Sequence, residues 1–211
     1  DYFSKKNISE KKIVKLISDW KINKENFIIL LPGRLTQWKG QENLIESLNI
    51  LVEDYNKSKF LCIFVGSDQG RNVYSKKLFG LVERYQLNKK VKFFSHCKEM
   101  PTAYSIADVV VSSSIRPEAF GRVAVEAQAM EKPIIASDIG GSKETILKEK
   151  SGILYKSDDP RELAKAINKI METDKEALYS MGNEGRKNVT KKFDVEKMCH
   201  TTLTEYQKLF K

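Results

Sequence analysis

Six short, largely apolar runs punctuate this chain and restrict its architecture more than any other feature: Phe27–Leu31, Phe60–Val65, Val91–Phe94, Asp108–Ser112, Ile134–Ala136 and Gly152–Tyr155. A strand with one wet face alternates apolar with polar residues, whereas a run that is apolar at odd and even positions alike reads as a strand covered on both sides. Helical periodicity fills the intervals. Ile13, Leu16, Ile17 and Trp20 recur at helical spacing after Ser9, and Leu44, Ile45, Leu48, Leu51 and Val52 mark a helix over Glu42–Tyr55. Further helices are expected at Val73–Tyr85, Tyr104–Asp108, Phe120–Met130, Arg161–Glu172, Glu176–Lys192 and Asp194–Phe210, the one at Arg161 announced by Asp158-Asp159-Pro160. Strands and helices in strict alternation predict an α/β fold with a doubly wound, mostly parallel sheet.

The stretch from Ser112 to Gly141 carries the most chemistry. The strand ending at Ser112 is followed by a turn around Pro117, and the loop then opens directly into the helix with Val123, Ala124, Ala127 and Met130 on one face. The first amides of a helix lack intrahelical acceptors and carry partial positive charge, which suits a phosphate or carboxylate. Glu118 and Glu126 flank that anion site. Like charge bars both from the anion itself, so they are placed to accept hydrogen bonds from neutral hydroxyls on either side, an arrangement that fits a nucleotide-sugar. The alternative is a surface ion pair between Glu126 and Arg122 at i,i+4. In that order it opposes the helix dipole and contributes at most about 0.3 kcal/mol.

The first apolar run leads into Pro32-Gly33-Arg34-Leu35-Thr36-Gln37-Trp38-Lys39-Gly40. The carboxyl end of a parallel strand is where open α/β sheets bind ligands, so Arg34, able to make a bidentate contact, and Lys39, a compact point charge, are candidate anion contacts. Trp38 either covers that anion or closes the loop against the fold. Gly66-Ser-Asp-Gln-Gly70 lacks the G-x-G-x-x-G spacing of a dinucleotide site, which disfavours an NAD dehydrogenase. His96 sits on a loop and carries no catalytic assignment.

Composition narrows the partners. Among 211 residues no apolar run approaches a membrane span, and Asp1-Tyr-Phe-Ser-Lys-Lys is not a signal peptide, so a cytoplasmic location is expected. The missing initiator Met is read as a fragment boundary. Cys62, Cys97 and Cys199 lack C-x-x-C spacing and fit a reducing compartment, and with His96 and His200 they suggest no zinc site. There is no Asp-x-Asp, so the charge of a bound diphosphate would fall to Arg, Lys and helix termini, with no metal expected. The net charge of +9 fits either an anionic membrane surface or a solvated lysine-rich exterior; without a recognisable nucleic-acid-binding motif, nucleic acid is not expected as a partner.

Taken together, Glu118 and Glu126, with Phe120-Gly121 between them and Gly140-Gly141-Ser-Lys-Glu144 after the next strand, resemble the Glu-x7-Glu signature of retaining glycosyltransferases of family 4 with the GT-B fold. The wording R-P-E-A-F-G-R-V-A-V-E-A-Q-A-M is similar to that of bacterial lipopolysaccharide-core transferases, and the resemblance runs from about Phe27 onward. It implies that residues 1–211 form the C-terminal, nucleotide-sugar-binding domain, with a leading helix in 1–24 and a trailing helix in 194–211 that packs towards an N-terminal domain of the same chain. It implies transfer of a hexose, with retention, from a nucleotide-diphosphate sugar, GDP-mannose favoured and no further cofactor, to a lipid-linked or oligosaccharide acceptor. Arg34, Lys39 and Glu118 would be catalytic; Gly33, Phe120, Gly121, Glu126, Gly140, Gly141 and Glu144 would bind the donor. Two sequence departures from the family pattern are Glu131, where Gly is usual at the helix C-terminus, and Lys143, expected near the cleft. A non-catalytic nucleotide-sugar-binding module and a phosphorylase or epimerase of the same fold are the alternative functions.

Overall fold

The structure, a computed structural model, describes residues 2–70 and 72–210; Asp1 and Lys211 at the ends of the expected domain, and Arg71, lie outside the described residues. The six apolar runs form strands β1 (Phe27–Pro32), β2 (Phe60–Val65), β3 (Val91–Phe94), β4 (Val109–Ser112), β5 (Ile134–Ser137) and β6 (Gly152–Tyr155). Every pairing between them is parallel, and the order across the sheet is β3-β2-β1-β4-β5-β6. The order reverses between β1 and β4, which opens a crevice at their carboxyl ends, the place where doubly wound sheets take ligands.

The strands are largely apolar because each feeds two cores. Ile29 and Leu31 of β1 join Phe60, Cys62 and Phe64 of β2 on one face, whereas Ile28 and Leu30 join Leu61, Ile63 and Val65 on the other. Helices α2 (Gln41–Glu53), α3 (Asn72–Arg84) and α7 (Pro160–Glu172) cover the first face with Leu44, Leu48, Leu51, Leu78, Val82, Leu163 and Ile167. The second face receives α4 (Met100–Ile106) and α5 (Arg122–Ala129) through Tyr104, Ala124 and Ala127, with α1 (Glu10–Asp19) packed outside α4. Each fully buried Leu or Ile contributes roughly 1.5–3 kcal/mol, so both layers are needed to offset chain entropy.

Two helix boundaries differ from the sequence reading near the crevice. The helix expected at Tyr104–Asp108 begins earlier, at Met100, because Pro101 suits a first turn, and it stops at Ile106. Asp108 then serves the sheet: its Oδ2 accepts from Ile28 N at 2.7 Å, joining the start of β1 to β4. The helix expected from Phe120 begins at Arg122, because Gly121 takes a left-handed φ of 76° and leaves Phe120 in the loop. At its far end Glu131 occupies the left-handed conformation, φ 54°, that glycine usually takes after a helix.

The chain continues through the short helix α6 (Ser142–Thr145) to α8 (Lys175–Lys192), which packs against α5, and ends in α9 (Val195–Leu209). No described residue of α9 is buried. Val195, Met198, Leu203, Tyr206, Leu209 and the following Phe210 all stand in solvent, a fuller exposure than the partial burial expected of this helix.

Candidate functional site

At the switch point the loop after β1 meets the loop after β4 around a cleft of about 480 Å³. Their contact depends on Gly40. Its φ is 68°, and a Cβ there would stand 1.9 Å from the Ser113 carbonyl oxygen, so the two backbones approach as only glycine permits. Ser113 Oγ donates to the carbonyls of Lys39, at 3.0 Å, and Gly40, at 2.9 Å, and Ile115 N donates to Trp38 O at 2.8 Å.

This stapling brings Lys39 to Glu118, 79 residues on. Lys39 Nζ lies 2.8 Å from Glu118 Oε1, with only 13% and 16% of the two side chains exposed. Ser114 Oγ donates to the same carboxylate oxygen. The Lys39 ammonium also stands 4.5 Å from the centre of the Trp38 ring, which lines the cleft, so Trp38 both closes the loop and walls the site. Arg34 is exposed at the cleft's edge. Its backbone is held by Gln41 Nε2, donating to Arg34 O at 2.8 Å, while its guanidinium only grazes Gln69 Oε1 at 3.4 Å and remains able to turn towards a ligand.

Across the cleft the start of α5 contributes Gly121, Arg122 and Val123. Gly121 makes no side-chain cap, which leaves the first amides of α5 to an incoming acceptor. One turn further, Glu126 Oε2 accepts from the hydroxyl of Tyr104 at 2.8 Å. Arg122 Nε stays 4.0 Å from Oε1 on a side chain 84% exposed, so the surface ion pair considered above is a loose contact. Burial pushes the Glu126 carboxyl above its ordinary value, opposed by the Tyr104 hydrogen bond and then by the charges of Arg122 and Lys39.

Of the residues singled out in the sequence, Gly33, Arg34, Lys39, Glu118, Phe120, Gly121 and Glu126 line this one cleft. Gly140, Gly141 and Glu144 do not. The two glycines were expected to let backbone approach a ligand, and in this structure they also bring it close to the β4 loop. A Cβ would come within 2.6 Å of Glu118 O from position 140 and of Phe120 O from position 141, and Gly141 N donates to Glu118 O at 2.8 Å. They therefore support the loop that carries Glu118. Glu144 points into solvent on α6, and Lys143, expected near the cleft, is exposed beside Asp138 at 3.8 Å. His96 is likewise exposed, and Met100 a few residues on lines the cleft. Among the described residues no three His, Cys, Asp or Glu side chains form a metal-binding group. Tyr104 was missed: in the sequence it is one tyrosine in a short helix, and nothing local shows that its hydroxyl meets a carboxylate 22 residues on.

The family model "Glycosyl transferases group 1" matches residues 13–188. The chain is 30% identical over 206 residues to the capsular polysaccharide biosynthesis glycosyltransferase CapM of Staphylococcus aureus, covering 94% of this chain and 51% of CapM. Its fold superposes on a glycosyltransferase from Rickettsia africae ESF-5 with a TM-score of 0.92 at 30% identity, over 100% of this chain and 55% of that one. It superposes on HepE from Anabaena, solved in complex with UDP-glucose, with a TM-score of 0.84 at 30% identity, over 94% of this chain and 54% of HepE. The chain thus spans about half the length of these relatives.

Proposed function

The chain belongs to the group 1 glycosyl transferases, and from that membership we propose that it is the donor-binding half of a retaining hexosyltransferase of family 4. The observation that carries this reading is the division of one cleft between two chemistries. Arg34, Lys39 and the amides opening α5 offer positive charge, whereas Glu118 and Glu126 offer only acceptors. A nucleotide-diphosphate sugar has the matching division, with a dianionic centre between a ribose diol and a polyhydroxylated ring.

In this reading Arg34 and Lys39 stabilise the diphosphate as the glycosidic bond breaks, Glu126 accepts from the ribose hydroxyls and Glu118 from those of the hexose. The Lys39–Glu118 ion pair holds both groups before the donor arrives, so little reorganisation is left for the reaction itself. Two donors are favoured. GDP-mannose follows from the resemblance to lipopolysaccharide-core transferases, and UDP-glucose follows from the likeness to HepE, whose structure contains it. The acceptor is a lipid-linked or oligosaccharide glycan, bound with the help of an N-terminal domain, at the cytoplasmic face of a membrane. Among the described residues no helix is long and apolar enough to cross that membrane.

A thermal-shift panel of GDP-, UDP- and ADP-sugars tests the reading. At least one nucleotide sugar is expected to raise Tm while free mannose and glucose do not. No shift with any nucleotide sugar would overturn it, and product analysis with acceptors separates transfer from binding, phosphorolysis or epimerisation.

A further inference from the structure

Tyr104 is completely buried, its ring edge-on to Phe3 at 5.7 Å, and its hydroxyl ends on a single side-chain acceptor, Glu126 Oε2. Burial and the adjacent carboxylate both push the phenol well above its ordinary value, so it stays protonated and acts as a donor. Among the described residues Glu126 has no comparable tie elsewhere. The Arg122 guanidinium is long at 4.0 Å and mostly in solvent, and Lys39, the other nearby cation, is taken by Glu118. A glutamate side chain loses considerable rotamer entropy when ordered, and a ligand that had to order it would bind more weakly by that amount.

We propose that Tyr104 is a positioning residue for donor binding: it fixes one oxygen of Glu126 and thereby presents the other, Oε1, to the vicinal hydroxyls of the ligand. The inference rests on the reading of Glu126 as the ribose contact. A second consequence follows from the same bond. Among the described residues, Tyr104 from α4, Arg122 from α5 and Lys39 from the β1 loop act on Glu126, and Lys39 is itself paired with Glu118 from the β4 loop. Burial favours the protonated form of Glu126, and the Tyr104 bond favours the ionised form that accepts from a diol. Removing the phenol hydroxyl should therefore both free the side chain and move its protonation to higher pH.

The test is calorimetric titration of the chain with whichever of UDP-glucose and GDP-mannose gives the larger thermal shift, from pH 5.5 to 8.5, on Tyr104→Phe, Glu126→Gln and the double variant. Tyr104→Phe is expected to weaken binding about tenfold at neutral pH, equivalent to about 1.4 kcal/mol, and to raise the pH at which binding is lost on acidification. In the Glu126→Gln background the Tyr104 change should add little, as for two residues acting as one unit. Glu126→Asp keeps Tyr104 and its packing while shortening the reach to it, and should weaken binding by a similar factor even if Tyr104→Phe folds poorly, whereas wild-type affinity for Glu126→Asp would count against the Tyr104 tie. If Glu126→Gln weakens binding but Tyr104→Phe keeps both affinity and pH midpoint, the Tyr104 role is overturned and the ribose assignment stands. An undiminished Tyr104→Phe effect in the Glu126→Gln background also overturns it, because the role would then be structural. Wild-type affinity for Glu126→Gln overturns the ribose assignment and this inference together.

Discussion

Arg34 and Glu126 line the same cleft but face different moments of the proposed reaction. Charge on a departing diphosphate grows as the bond breaks, so Arg34→Ala in the proposed two-domain enzyme is expected to lower kcat by roughly two to three orders of magnitude. Ribose hydroxyls scarcely change, so Glu126→Ala should mainly raise the donor KM, the signature of binding lost equally from ground and transition states. A 2′-deoxyribose donor is the control and should be far less sensitive to the Glu126 change. A fall in kcat at unchanged KM for Glu126→Ala would contradict the assignment. Glu126 also carries a stability prediction. Its carboxyl is raised above the unfolded value by burial, so the folded state binds the proton more tightly and the ionised form costs stability at neutral pH. That cost is fully present above the folded pKa and disappears as pH falls below the unfolded one. Glu126→Gln should therefore melt higher than the parent at pH 8, with the gap closing towards pH 4; a lower Tm at pH 8 would mean that burial is not the dominant influence.

Among the elements, α5 and α9 show how differently two helices with an apolar face are used. Ala124 and Ala127 of α5, with Met130 just beyond it, are fully buried, so this helix holds Glu126 and its own first amides rigidly against the sheet. The apolar side chains of α9 are more than half exposed and cover nothing, although Phe193 just before it meets Phe120 of the β4 loop edge-on at 5.3 Å. Removing the residues after Phe193 should therefore cost less than about 1 kcal/mol in urea unfolding, as for surface changes away from the core. A loss of several kcal/mol would show that α9 packs in solution. At the far end of α5 stands one departure from the resembled pattern. Glu131 bears a left-handed backbone strain that glycine would avoid, and it gains an ion pair with Lys5 at 2.6 Å.

For the molecule as a whole, the sheet order places a loop bearing Arg34 and Lys39 opposite a loop bearing Glu118, and the proposed donor site lies within one half of the length of its relatives. The chain alone is accordingly expected to bind a nucleotide-diphosphate sugar and to transfer nothing, and turnover on a lipid or oligosaccharide acceptor by this chain would contradict that division. Binding should also be indifferent to chelator. A tenfold or larger loss of affinity on adding EDTA, about 1.4 kcal/mol, would show that a metal shares the diphosphate charge with Arg34 and Lys39.

The sequence by itself determined the six strands, the helices between them and the α/β class, because hydrophobic period and turn chemistry are written among residues a few positions apart. It also marked Arg34, Lys39, Glu118 and Glu126, since a strand's carboxyl end and a helix start are local features. Only the tertiary structure decided that β1 lies beside β4, that Lys39 reaches Glu118 across 79 residues, and that Tyr104 reaches Glu126 across 22. It likewise gave Gly140 and Gly141 a role the chain does not announce, as supports for the Glu118 loop. The physical reason is that a side chain's partner depends on how distant loops pack, here on a backbone approach at Gly40 too close for a Cβ, and no periodicity in the chain encodes that distance.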